Sequence, residues 1–144
     1  MTPNDKLLIE ELRRDEGVRY SPYLDSEGIK TVGVGHNLEA HPLDLSYPLT
    51  DEQVDSILSA DLVSVFHDLD GNLGWWRTLS YPRQRVMANL CFNLGIPRLL
   101  KFRRMLLAAE EGYFDQAAIE MLNSKWARQV GDRAERLAKI MREG

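Results

Sequence analysis

Glu16-Gly17, then Tyr23-Leu24-Asp25-Ser26-Glu27-Gly28, then Thr31-Val32-Gly33-Val34-Gly35-His36 occupy one short stretch near the start of a 144-residue chain. On its N-terminal side, Leu8, Leu12 and Glu16 lie four apart and share a helix face. Thr2 can cap that helix, with Pro3 at its first position and Asp5 three residues after the cap. Gly17 is a natural stop. Beyond it, Tyr20 to Leu24 reads as a strand and Asp25-Ser26-Glu27-Gly28 as a turn. Ile29 to Gly35 reads as the return strand, with Ile29, Thr31, Gly33 and Gly35 on one face and Lys30, Val32 and Val34 on the other. The expectation is a small β-hairpin directly behind a helix.

Three side chains of this stretch carry chemistry. The ordinary reading of Glu16 is a solvated charge. Against it, Glu16 shares a face with Leu8 and Leu12 and ends a helix, where the macrodipole disfavours an anion. Both features favour the neutral carboxyl, which can serve as a general acid. Asp25 opens a polar turn, where a carboxylate is hydrated or bonded to nearby backbone. Thr31 is an ordinary strand residue, or a hydroxyl that holds a water opposite the turn. Two carboxyl groups in contrasting environments suit glycosidic cleavage. Gly33 and Gly35 leave one sheet face bare, so a polymer can approach the backbone.

The rest of the chain is mostly helical by pattern. Residues 37–49 read as a loop. Thr50-Asp51-Glu52-Gln53 is a capping box, and Val54, Ile57, Leu58, Leu62, Val65 and Leu69 continue a long helix to about residue 70. Trp75-Trp76 lie in a connection, where packing and sugar stacking are both open. Residues 82–94 are apolar nearly all round, which marks a buried central helix. Shorter helices are expected at 98–111, 114–123 and 132–142, broken by Gly112, Ser124 and Gly131. The fold class is α+β, mostly α-helical.

Eighteen basic and 22 acidic side chains give a net charge of −4. Nucleic acid and anionic membrane are therefore not expected as general partners. Residues 1–97 carry net −7 and residues 98–144 net +3, which suggests two lobes with different electrostatic roles. A single cysteine, Cys91, excludes an intramolecular disulfide and a cysteine-based zinc cluster. No stretch has the 18 or so apolar residues of a membrane span, and the N-terminal apolar run is too short for a signal peptide. The cytoplasm is the expected place of synthesis.

The ordered motifs E-G, Y-x-D-x-x-G and T-x-G-x-G-H resemble the active-site region of phage-type lysozymes, glycoside hydrolase family 24. Thr50 to Leu62 is similar to the family's inter-lobe helix. Asn89-Leu90-Cys91-Phe92-Asn93-Leu94-Gly95 is similar to its central helix. Phe102 to Leu107, Ser124-Lys125-Trp126 and Arg133-Ala134 follow in order. The resemblance implies one lysozyme domain over residues 1–144. Its β-containing lobe spans about 17–50, its linking helix about 51–70, and its helical lobe about 71–144 plus the helix at 3–16. A cleft between the lobes is implied. The implied activity is inverting hydrolysis of the β-1,4 bond between N-acetylmuramic acid and N-acetylglucosamine in peptidoglycan. Glu16 would be the general acid, and Asp25 and Thr31 would position the attacking water. Inversion implies carboxyl groups roughly 6.5–9.5 Å apart. No cofactor or metal is implied.

The resemblance also pairs His36 with Asp61 and places Arg133 near the catalytic glutamate, where a cation would favour the ionised carboxyl. A solvated surface charge is the other reading of Arg133. Glu27 and Lys125 match positions that face each other across the family's cleft. Gly33, Asn93, Glu27, Lys125 and Arg133 are thus candidate substrate contacts. Asn93 could equally be an ordinary polar residue ending a helix. The amphipathic run Leu99 to Arg104 is a solvated face or a surface drawn to the anionic wall. Compared with the family, the stretch between His36 and Thr50 is short, so an element of the β lobe is expected to be missing. Rival readings are a non-catalytic peptidoglycan-binding module and a lytic transglycosylase. A monomeric phage endolysin released with a holin is the expected setting, with a virion-borne lysozyme or a prophage remnant as the alternatives.

Overall fold

The computed structural model describes residues 2–144, and the chain forms two compact units, residues 1–64 and 65–144. In the first unit, helix α1 spans Pro3–Glu16. Its cap is the expected one with a further bond. The Thr2 side chain accepts from the Asp5 backbone N–H at 3.0 Å, and the Asp5 carboxylate accepts from the Thr2 N–H at 3.2 Å. That reciprocal pairing satisfies two amide groups that lack helical partners. Gly17, at φ 75°, ends the helix, and its N–H reaches the Arg13 carbonyl. Leu8 and Leu12 are buried, as their shared face required.

The expected hairpin is a three-stranded antiparallel sheet in the order β1-β2-β3, with β1 Arg19–Leu24, β2 Lys30–Gly33 and β3 His36–Asn37. The return strand therefore stops at Gly33 rather than Gly35. Gly33 and Gly35 adopt φ of +67° and +63°, which breaks the extended chain and turns it back as a third strand. Tyr23 pairs with Thr31, and Thr31 in turn with Asn37. Thr31, Val32 and Gly33 are all buried, so the simple two-faced alternation does not hold.

Helix α2 spans Asp51–Asn72, begins in the first unit and ends in the second. Its capping box forms as read: Thr50 and Gln53 exchange side-chain-to-backbone bonds of 2.9 and 3.1 Å. No helix among the described residues is long and apolar enough to cross a membrane.

The second unit continues with a 3₁₀ turn at Trp76–Thr78 and helices α3 Tyr81–Leu94, α4 Ile96–Leu99, α5 Arg103–Glu110, α6 Phe114–Leu122, α7 Lys125–Val130 and α8 Asp132–Glu143. Helices α6 and α8 pack together, as do α5 with α6 and α3 with α8. The central helix α3 buries Val86, Met87, Leu90, Cys91 and Leu94. Two expectations are corrected. The helix expected at 98–111 is two helices, because Phe102 (ψ 56°) leaves helical geometry between them. Helix α7 lies in what reads as a connection: Ser124, taken as a breaker, accepts from the Ala127 N–H as an N-cap. Gly131 closes that helix at φ 61°.

Candidate active site

The turn after β1 is built around Asp25. Its Oδ1 accepts the backbone N–H groups of Glu27 at 2.8 Å and Ile29 at 2.9 Å. The same Ile29 presents its carbonyl to the Asp25 N–H at 2.9 Å and to the Thr31 hydroxyl at 2.8 Å. The backbone of one residue, through its N–H and its carbonyl, thus fixes both side chains. Asp25 is held through a single oxygen and is only half-buried, which leaves Oδ2 able to accept a proton. Thr31 donates its proton to the chain and keeps its oxygen lone pairs. A Cβ at Gly33 would meet nothing within 4 Å, so space remains beside the strand. Glu27 is exposed, and in this turn its backbone serves, not its carboxylate.

Glu16 is the last residue of α1 and is half-buried. The preceding Asp15 has a fully enclosed side chain that accepts from Arg14 Nε at 3.0 Å. The turn before them is anchored by Arg13, which donates to Asp51 at 2.9 Å and Asp55 at 2.7 Å. The Tyr20 hydroxyl donates to the same Asp51 oxygen at 2.7 Å. Those bonds, Tyr20 first and Arg13 next, hold the Asp51 carboxyl below its usual range. The end of α1, the start of β1 and the start of α2 are therefore tied at one carboxylate. Sequence reasoning missed this tie and the enclosed Asp15, because both look like ordinary surface charges.

The structure brings His36 and Asp61 together. His36 is buried, with Nδ1 2.8 Å from Asp61 Oδ2 and Nε2 2.8 Å from the His41 carbonyl. Both ring nitrogens thus face a hydrogen-bonding oxygen of the same unit.

In the second unit Arg133 is 6% exposed, which corrects its reading as a solvated charge. Its Nε and one terminal nitrogen donate to Asn89 Oδ1 at 3.0 and 2.8 Å. Asn89 was not singled out by role; its signal was a polar side chain within the apolar run of α3. Asn93 accepts the Trp126 indole N–H at 2.6 Å, so its carbonyl oxygen is already engaged. Lys125 is exposed at the start of α7. Of the tryptophan pair, Trp76 is buried, stacks on Phe66 at 5.8 Å and donates to Asp70 at 2.8 Å. Packing, not an open stacking surface, is its role.

The chain is 28% identical to the pre-baseplate central spike protein Gp5 of Enterobacteria phage T4, over 95% of this chain but only 28% of that protein. It is 26% identical to a probable T4-type lysozyme of Dictyostelium discoideum, over 92% of both chains. A shorter match, 38% identical, covers 60% of this chain and 60% of the endolysin of Salmonella phage P22. The sequence model of the family described as phage lysozyme matches residues 13–142. The chain belongs to the phage lysozyme family.

Proposed function

We propose that this protein is a peptidoglycan-hydrolysing muramidase that cleaves the β-1,4 bond between N-acetylmuramic acid and N-acetylglucosamine. Glu16 protonates the leaving oxygen as general acid. Asp25 accepts a proton from the attacking water through Oδ2, and Thr31 helps position that water. The observation that supports the reading is the Ile29 backbone, whose N–H donates to Asp25 and whose carbonyl accepts from Thr31. Preorganised groups of this kind act without reorganising during the reaction. Two carboxyl groups and a water account for the chemistry, and attack from the face opposite the leaving group inverts the anomeric centre.

Residues 1–144 act as one lysozyme domain in this proposal. Gly33, Asn93, Glu27, Lys125 and Arg133 contribute to substrate binding. For Arg133 that contribution is indirect, through the Asn89 contact that orders α3 and α8. The P22 relative's name supports an endolysin setting, in which a monomer made in the host cytoplasm reaches the wall through a holin. The test is release of reducing ends from purified peptidoglycan. Wild type should release them, and Glu16→Gln and Asp25→Asn should each lose most of that activity. Unchanged turnover in Glu16→Gln would end the proposal.

A further inference from the structure

Two adjoining grooves, of about 330 and 200 Å³, open on the second unit and share Lys101 and Phe102 as a wall. Arg103 and Arg104 line the first; Arg98 and Lys125 line the second. Phe102 meets Trp126 edge-on, with centroids 6.3 Å apart, which gives the grooves a firm apolar wall. All five cations are exposed. Among the described residues, Glu120 is the one carboxylate lining either groove, and it already accepts from Gln116 at 3.1 Å.

Among the described residues, none of these five cations forms an ion pair. Several other arginines are tied down: Arg13 to Asp51 and Asp55, Arg77 to Asp70, Arg83 to the end of α8, Arg133 to Asn89. Arg103 and Arg104 moreover open α5, where the helix dipole disfavours cations, and no acidic residue occupies that first turn. The fold thus concentrates five cations beside a single lining carboxylate, Glu120. It does so in a protein whose net charge is −4.

We propose that this double groove binds a phosphodiester-bearing polyanionic polymer of the bacterial envelope along its charged backbone, independently of bond cleavage. Three of the five cations are arginines, whose forked donors match phosphate oxygens. A linear polymer with a charge on each repeat can engage several of them at once, which a single carboxylate cannot. The envelope as the source of the polymer rests on the proposed muramidase function; the binding does not.

The test titrates soluble poly(glycerol phosphate) into the intact chain at 50 and 200 mM salt. Each neutralised phosphate should contribute a salt slope of roughly 0.7, so five contacts predict an affinity loss of about 10²-fold across that range. Arg103→Gln/Arg104→Gln should bind more weakly at 50 mM and lose only about 20-fold. Lys6→Gln/Lys139→Gln, which lies outside the grooves, should behave as wild type. Thermal melts confirm that each variant is folded. No binding at 50 mM, an unchanged salt slope in the arginine variant, or equally tight binding of polyglutamate would overturn the assignment. Reducing-end release from peptidoglycan stripped of phosphodiester polymers, measured alongside, should persist in the arginine variant. Its absence in wild type would refute the muramidase reading and leave the binding result standing.

Discussion

Replacing Asn89 by leucine removes the acceptor of two guanidinium bonds while keeping similar volume. Asn89 is 1% exposed and Arg133 6%, so water cannot readily take over. A hydrogen bond to a charged group contributes about 1.5–3 kcal/mol net. Both bonds end on one oxygen, so they amount to less than two independent bonds, about 3 kcal/mol together. Leucine buries apolar surface that asparagine did not, which offsets about 1 kcal/mol. The expected net loss is about 2 kcal/mol. For a chain of this size that lowers Tm by about 8 °C. Differential scanning calorimetry at neutral pH reads it directly. Asn89→Asp restores an acceptor and makes it charged, so it should keep Tm within about 2 °C of wild type. A Tm for Asn89→Leu at or above wild type would refute the claim that this contact holds α3 to α8.

Further expectations follow from the other contacts. Thr31→Val keeps the shape of the strand but removes the bond to Ile29; kcat should fall about 10²-fold with KM little changed, and Thr31→Ser should restore much of it. His36→Asn is too short to reach both Asp61 and the His41 carbonyl, so stability should fall by about 1–3 kcal/mol while activity is kept; loss of activity without loss of stability would be the wrong outcome. Cys91 is 3% exposed, and burial, assisted by Asp68, pushes its thiol up to about 11. Its folded value exceeds its unfolded one, so the stability is complete below about pH 9 and drains as pH rises towards 11, by about 3 kcal/mol. Cys91→Ala should flatten that alkaline loss in denaturant titrations. Asp51 shifts the other way, so its contribution is complete above the ordinary carboxylate range and is lost as pH falls through its lowered value. Asp51→Asn should therefore weaken the acid dependence of stability, and high salt should mimic it.

Much of the first unit was legible because its signals are local. Thr2, Pro3 and Gly17 bracket α1 by capping chemistry, and Thr50 with Gln53 opens α2 the same way. The third strand was hidden, because alternation from Ile29 to Gly35 gives no hint that two glycines take positive φ. Helix α7 was hidden for a related reason: Ser124 and Gly131 serve equally as breakers and as caps, and only the chain between them decides. The break at Phe102, whose ring meets Trp126, is likewise something no periodicity reports. At the candidate site the residue types were legible, and so was the His36–Asp61 pairing, through family likeness. Which atoms would hold them was not. That Ile29 would join Asp25 to Thr31 through its own N–H and carbonyl depends on the turn's closure, not on its side chain. The burial of Arg133 likewise depends on a partner 44 residues away.

The charge split first visible in the sequence acquires a place in the structure. The acidic stretch contains the turn with Asp25 and the helix ending at Glu16. The basic stretch includes the unpaired cations around the double groove. Charge near the proposed chemistry and charge for polymer contact are thus carried by different elements.

The most direct test of the central claim is the anomeric configuration of the first product. Proton NMR of peptidoglycan digestion, recorded before mutarotation equilibrates the new reducing ends, distinguishes the routes. Attack by a water held by Asp25 and Thr31, with Glu16 as acid, predicts that the muramic acid end appears first as the α-anomer. A β-anomer first, or a 1,6-anhydro end with no reducing group, would contradict it.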